Sequence, residues 1–218
     1  MKLPFVFLIV VAFIASPLCG QTSPAPAAPK TAAAPNSLTK AERDRAIEYL
    51  KQTQKDFLAA IEGVSEAQWK FKAGPDKWSI AETAEHIAVT EQTIWDLVSD
   101  KIMKSPPAPE KAAEAKGKDE TILTVIPDRS RKAQAPERLQ PTGKWPNRAA
   151  LAKDFEAMRT KEIAYMTETK EDLRNHFGDH PFLKTMDAYQ WIIFNGAHCK
   201  RHTAQILEVK ADPNYPKS

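Results

Sequence analysis

Five histidines, His86, His176, His180, His198 and His202, are the residues of this 218-residue chain whose type and spacing could do chemistry. A neutral imidazole ligates divalent transition metals, and near neutral pH it also moves protons. His198 and His202 stand four residues apart in a stretch that reads as helix, so both rings leave one face a turn apart. Trp191, Phe194, Asn195, Gln205 and Val209 share that face, while Gln190, Arg201 and Glu208 fall on the side expected to meet water. His86 lies in a second helical stretch, on the arc of Ile80, Thr83, Ile87, Thr90, Ile94 and Leu97, and is expected to point inward as well. If these two helices run antiparallel, His86 and His202 lie roughly 9 and 12 Å from the same end of the pair at 1.5 Å per residue. Three imidazoles at one level, with no fourth protein ligand in evidence, suit a divalent transition metal that keeps an open position. The alternative is three separate hydrogen-bonded core histidines, because H-x3-H pairs arise by chance in many helices.

Other side chains compete for roles. His176 and His180 are also four apart, but Gly178 and Pro181 forbid a continuous helix, so they read as surface loop residues. Cys199 lies about 100° round the helix from His198, where a free cysteine packs as a small apolar group. Glu91, about 140° from His86, reads as structural or solvent-facing. Gln205, a turn beyond His202, can donate or accept behind a ligand but cannot act as a base. No strong general base is visible, so catalytic residues are unassigned and hydrolysis would depend on the metal alone. Trp69, Phe71, Trp78, Trp145 and Tyr215 are expected to pack at the histidine end, one or two of them at a pocket mouth. Arg129, Arg131 and Lys132 read as a solvated stretch of loop.

The elements that must hold these groups are marked by what is missing. Seventeen prolines and seven glycines are spread through the chain. Yet residues 40–62, 79–104, 147–169 and 185–210 contain no proline, and of glycines only Gly196. Each window is long enough for a helix of about 35–39 Å. Thr39 with Glu42 and Ser79 with Glu82 form capping-box pairs, Asn147 and Thr185 can cap the third and fourth helices, and Gly63 stops the first. The expectation is an all-α four-helix bundle. About 42 residues, 105–146, join the second and third helices; a connection that long can run the length of the bundle and leave those helices parallel.

The charge balance of 31 basic against 28 acidic residues is too even for a dedicated nucleic-acid binder. With 42% hydrophobic and 27% charged residues the chain is not disordered as a whole, and its scarce glycines argue against a glycine-rich dinucleotide fold. Residues 1–20 read as a secretory signal, Lys2 then the apolar run Phe5 to Ala15, with cleavage after Gly20. A lipid anchor on Cys19 is the rival, disfavoured by the bulky Leu18 before it. Residues 21–37 are a Pro/Ala-rich linker, 38–212 the helical domain and 213–218 a tail. After signal removal no transmembrane segment is expected, and the product is periplasmic or extracellular. A small molecule is the expected ligand, and a homodimer is allowed for.

Lys77-Trp78-Ser79-Ile80 leading to His86, the His180-Pro181 pair, Tyr189-Gln190-Trp191, and His198 to Ile206 together resemble the DinB/YfiT-like superfamily of metalloenzymes over most of residues 40–212. The resemblance implies an up-down-down-up four-helix bundle whose second and fourth helices supply three histidines to zinc or nickel. His86, His198 and His202 match those ligand positions. Some relatives are transferases or isomerases that use small thiols, but the resemblance delivers no substrate. The chemistry an open three-histidine site could support makes the expectation a metal-dependent hydrolase or thiol-type transferase, the alternative being a non-catalytic binding or scaffold protein with a structural or vestigial metal site. An export signal sets this chain apart from the better understood members, since cytosolic thiols are scarce outside the membrane.

Overall fold

The computed structural model describes residues 38–130 and 134–217. The signal and linker expected at 1–37, Cys19 among them, and Arg131 and Lys132 lie outside the described residues. Four long helices dominate: α1 (Lys40–Ile61), α3 (Ile80–Leu97), α6 (Arg148–Glu168) and α7 (Ala188–Lys210). Short helices fill the connections, α2 (Glu66–Lys70), α4 (Ala112–Ala115) and α5 (Lys118–Val125). Among the described residues no helix is long and apolar enough to cross a membrane.

The starts follow local chemistry. Thr39 and Ser79 accept from the backbone N–H of Glu42 and Glu82, and those carboxylates return the bond to the cap N–H. Asn147 accepts from Ala150 N–H at 2.9 Å. These bonds satisfy donors that a helix N-terminus otherwise leaves bare. α1 ends just before Gly63, whose φ of +68° is a left-handed turn that favours glycine.

Two departures from the sequence reading concern the last helix. The fold is not purely helical: β1 (Phe177–His180) and β2 (Lys184–Asp187) form an antiparallel hairpin immediately before α7. Thr185 therefore lies in a strand, and Asp187 caps α7 in a box with Gln190. Gln190 is buried rather than solvated, because it also donates to the Ala115 carbonyl and to Asp119. Arg174 clamps the same region. Its guanidinium bonds Glu42, Asp119 and Asp187 and stacks on the Tyr189 ring at 4.1 Å. The long connection at 105–146 lays α5 along α7.

Helices α6 and α7 each pack against both α1 and α3. Arg148, at the start of α6, donates to the Ile61 carbonyl at the end of α1, and Lys210, at the end of α7, donates to Ala60. Tyr189, at the start of α7, donates to Glu42 at the start of α1.

The core is two apolar clusters. One holds Leu50, Ile94, Val98, Met166 and Ile192; the other holds Phe57, Ile80, Ile87, Phe155 and Ile206. Every long helix passes between them through buried polar residues: Thr53 on α1, Glu91 on α3, Arg159 and Glu162 on α6, Asn195 on α7. Arg159 is fully buried and forks onto the Glu91 carboxylate at 2.5 and 2.6 Å, with further bonds to Leu50 O and Thr53 Oγ1. Glu162 sits 3.7 Å from Arg159 and accepts from Asn195. Burial, and next the charge of Glu91, push the Glu162 carboxyl well above the usual range, so it holds its proton more tightly than an exposed glutamate does.

That proton sets a sign. A carboxyl whose folded pKa is raised contributes stability present at low pH and lost as pH rises toward the folded value, up to about 1.4 kcal/mol per pH unit. Glu162→Gln keeps the shape and a permanent donor; it is expected to stay within about 1 kcal/mol of wild type at pH 7 and to flatten the decline at higher pH. Glu91→Gln takes away the forked counter-ion and leaves Arg159 only the Glu162 carboxyl 3.7 Å away, so it should cost up to about 3–5 kcal/mol. Denaturant melts of both variants between pH 6 and 8.5 measure the difference.

Candidate metal centre

His86 comes from α3, and His198 and His202 from α7, one turn apart. The three offer ligand nitrogens that all lie within 4.8 Å of one another. His86 Nε2 and His198 Nε2 are 3.1 Å apart. Two nitrogens each 2.0–2.1 Å from a tetrahedral zinc would be about 3.3 Å apart, so this pair already has the spacing and the third ring needs at most about 1.5 Å of closure. The donor set fits a divalent transition metal with a position left over.

Each ring is prepared from behind. His86 Nδ1 is 2.8 Å from the Leu139 carbonyl, which can only accept, so the proton is on Nδ1 and the Nε2 lone pair faces the cluster. His202 Nδ1 is 2.9 Å from Gln205 Oε1, with the same consequence. Gln205 Oε1 in turn accepts from Arg129 at 3.1 Å, and Arg129 forks onto Glu208. Arg129 is thus a half-buried anchor of this network rather than a solvated loop residue. The Trp78 ring covers His86 at 5.0 Å between centroids.

Leu139 reaches His86 because the preceding residue holds the long connection down. Glu85, 6% exposed, accepts the backbone N–H groups of Thr142, Gly143 and Lys144. Neighbouring residues on α3 therefore bind the same connection, one through a carboxylate and one through an imidazole. Glu85, Leu139 and Arg129 were not singled out from sequence for this centre; a backbone carbonyl 53 residues away leaves no trace in composition or spacing. The only hint was a second polar residue, Glu85, directly before the inward-facing His86.

Burial keeps the cluster uncharged. It lowers the pKa of His86, takes His198 well below the ordinary 6.5, and pushes His202 down to about 3, with each cationic ring also repelling its neighbours. Neutral imidazoles ligate without first losing a proton.

The remaining candidates fall elsewhere. Cys199 is buried, its Sγ 3.6 Å from the Thr53 carbonyl, and burial pushes the thiol up to about 12, so it is a packing residue. Glu91 is held by Arg159. His176 and His180 are half-buried around the β1 strand, not loop residues on the surface. His180 packs on Trp191 and Phe194, its Nδ1 accepting the Phe182 and Leu183 N–H groups, and burial lowers it to about 4. Neither joins the cluster. Trp69 is buried in the apolar core, Phe71 and Tyr215 pack edge to face, and Trp145 bonds Asp154; of the five aromatics, Trp78 stands against the histidines.

Residues 49–206, more than half of the chain and including all three clustered histidines, match the DinB superfamily. The uncharacterized protein YuaE of Bacillus subtilis (strain 168) is 26% identical over 150 residues, which is 69% of this chain and 88% of that protein. The solved structure of YfiT from Bacillus subtilis, described as a probable metal-dependent hydrolase with an unusual four-helix bundle topology, is 16% identical with a TM-score of 0.46, covering 83% of this chain and 92% of that one.

Alanine at His86, His198 or His202 should abolish uptake of zinc or nickel, while His176→Ala and His180→Ala retain it. Gln205→Ala should weaken affinity about 10- to 100-fold by freeing the His202 ring. Titration calorimetry and metal analysis of the six variants and wild type measure both. The pKa directions give a second expectation for metal-free protein. A histidine with a depressed folded pKa contributes stability that is lost as pH falls below the unfolded value of 6.5. His86, His180, His198 and His202 act together in that window, outweighing the opposite terms of Glu162 and Asp187, the latter pushed up to about 6. Melting temperature should fall as pH drops below 6.5; a steady rise down to pH 5 would contradict the neutral cluster.

Proposed function

The chain belongs to the DinB superfamily, and from that membership and the convergence of three neutral imidazoles we propose that it is a divalent-metal protein acting on a small molecule, as a hydrolase or a transferase. The observation that carries the reading is the back-bonding of His86 and His202, which directs two lone pairs into the cluster before any ion is bound. His86, His198 and His202 would hold the metal, zinc or nickel being suited to such nitrogen donors. Once bound, a metal with an open position supplies Lewis acidity, polarising a substrate oxygen or lowering the pKa of water. The chain's own contribution is positional: Leu139 and Gln205 fix tautomers, and Trp78 covers one side of His86.

The same reading includes an up-down-down-up order of the long helices, supported by the contacts of Arg148 with Ile61 and Lys210 with Ala60. It also includes export, supported by Lys2 and the apolar run Phe5 to Ala15. Export favours hydrolysis over thiol transfer, because small cytosolic thiols are scarce outside the membrane. A second reading, a binding or scaffold protein with a structural metal, draws on one observation. Among the described residues no carboxylate shares the cluster, and the nearest sequence candidate, Glu91, is paired with Arg159.

The two readings separate by experiment. Protein loaded with zinc or nickel, assayed on a panel of small esters, amides and thiol acceptors, should turn over at least one class, and His202→Ala should lose that turnover. Tight stoichiometric metal with no turnover on any class supports the scaffold. N-terminal sequencing of secreted material should begin at Gln21; a chain retained in the cytoplasm from Met1 removes export from the reading.

A further inference from the structure

Two buried polar atoms near the histidine cluster have no hydrogen-bond partner: Thr90 Oγ1 on α3 and Asn195 Oδ1 on α7. Thr90 and Asn195 are 3% and 1% exposed. Thr90 follows His86 by four residues and Asn195 precedes His198 by three, so each shares a helix face with a clustered histidine, one turn toward the bundle centre. Asn195 Nδ2 donates to the Glu91 carbonyl at 3.4 Å and to Glu162 at 3.3 Å. Its amide therefore lies against α3 beside Thr90. The Glu91 carbonyl can only accept, which fixes the amide orientation and leaves Oδ1 as the open group.

Thr90 is also unusual in its rotamer. Thr53, Thr83, Thr93, Thr124, Thr167 and Thr203 all bond their hydroxyls to the carbonyl four residues back. Thr90 makes no such bond to His86. Its hydroxyl oxygen makes no hydrogen bond to the protein while remaining shielded from bulk solvent.

Buried polar groups are nearly always satisfied, and where protein atoms do not meet, a bound water does so. What fits here is constrained by the atoms. Asn195 Oδ1 needs a donor, Thr90 can donate or accept, and Glu162 lies on the far side of the amide. An anion has no proton to give Oδ1, and a cation would lack a counter-charge at this point. We propose that one water molecule is bound between Thr90 Oγ1 and Asn195 Oδ1, forming the floor of the histidine cluster and joining it through Asn195 to the Arg159–Glu91–Glu162 layer. The water donates one hydrogen to Oδ1 and accepts from the Thr90 hydroxyl. It is a fixed part of the metal-free protein, so it stands independently of whether the cluster binds an ion.

The test uses metal-free wild type with Thr90→Val and Thr90→Ser. Valine has the shape of threonine without the hydroxyl, so packing is kept and only the polar atom changes. With the water in place, Thr90→Val removes a partner, the melting temperature falls, and oxygen-17 relaxation dispersion counts one fewer long-lived buried water. Thr90→Ser keeps the hydroxyl and should retain that water. If the gap is dry, valine replaces an unsatisfied hydroxyl with a methyl group and the melting temperature rises. A rise or no change on Thr90→Val, or an unchanged count of long-lived waters, overturns the proposal.

Discussion

The buried fork of Arg159 on Glu91 is the constraint to which the rest of the bundle is registered. A guanidinium with no exposure is tolerated only where its donors are met, and here they are met by three groups on two other helices: the Glu91 carboxylate of α3, and the Leu50 carbonyl and Thr53 hydroxyl of α1. Apolar side chains alone would let a helix slide by a turn at modest cost. A fork with bonds of 2.5 and 2.6 Å does not slide. Asn195 extends the layer to α7 through Glu162, so all four long helices share one level. His86 stands five residues before Glu91, and His198 three residues after Asn195. Fixing the polar layer thereby fixes the height at which the imidazoles meet.

The histidine cluster depends on a second and different device. Convergence alone would give three rings free to choose tautomers, and half of those choices aim a proton rather than a lone pair into the centre. Leu139 and Gln205 remove that freedom for two of the rings. Both supports depend on the long connection, since Glu85 pins it through three backbone N–H groups and Arg129 holds Gln205 in place. Desolvation then keeps the rings neutral, the same burial that makes the bare apo cluster costly below pH 6.5. The long, proline-rich connection is therefore what tunes the centre.

At the other end of α7 the hairpin and Arg174 do comparable work for the helix itself. Asp187 caps α7, accepts from Arg174, and is the last residue of β2, so one carboxylate joins strand, helix and salt-bridge cluster. Arg174 reaches α1 and α5 from the same position. The seat of α7 is fixed at its start by charge and at its centre by the polar layer, and His198 and His202 inherit both restraints.

The four long helices, their caps at Thr39, Ser79 and Asn147, and the inward histidines on two of them were legible in the sequence, because helix periodicity and capping are local and rest on neighbours three or four residues away. Capping residues and proline-free runs together located the four helices. What the sequence misjudged was decided by partners far along the chain. Gln190 looked solvated by angle, yet Ala115 and Asp119 take its amide. Thr185 looked like a cap, yet strand pairing with Asp179 claims it and moves the cap to Asp187. Arg129 looked like loop charge, yet Glu208 and Gln205 lie across from it. Side-chain type and spacing thus determined which residues could form a metal centre. Tertiary contact decided which imidazole nitrogen faces it, since a hydrogen bond to a carbonyl 53 residues away is a property of the folded chain alone.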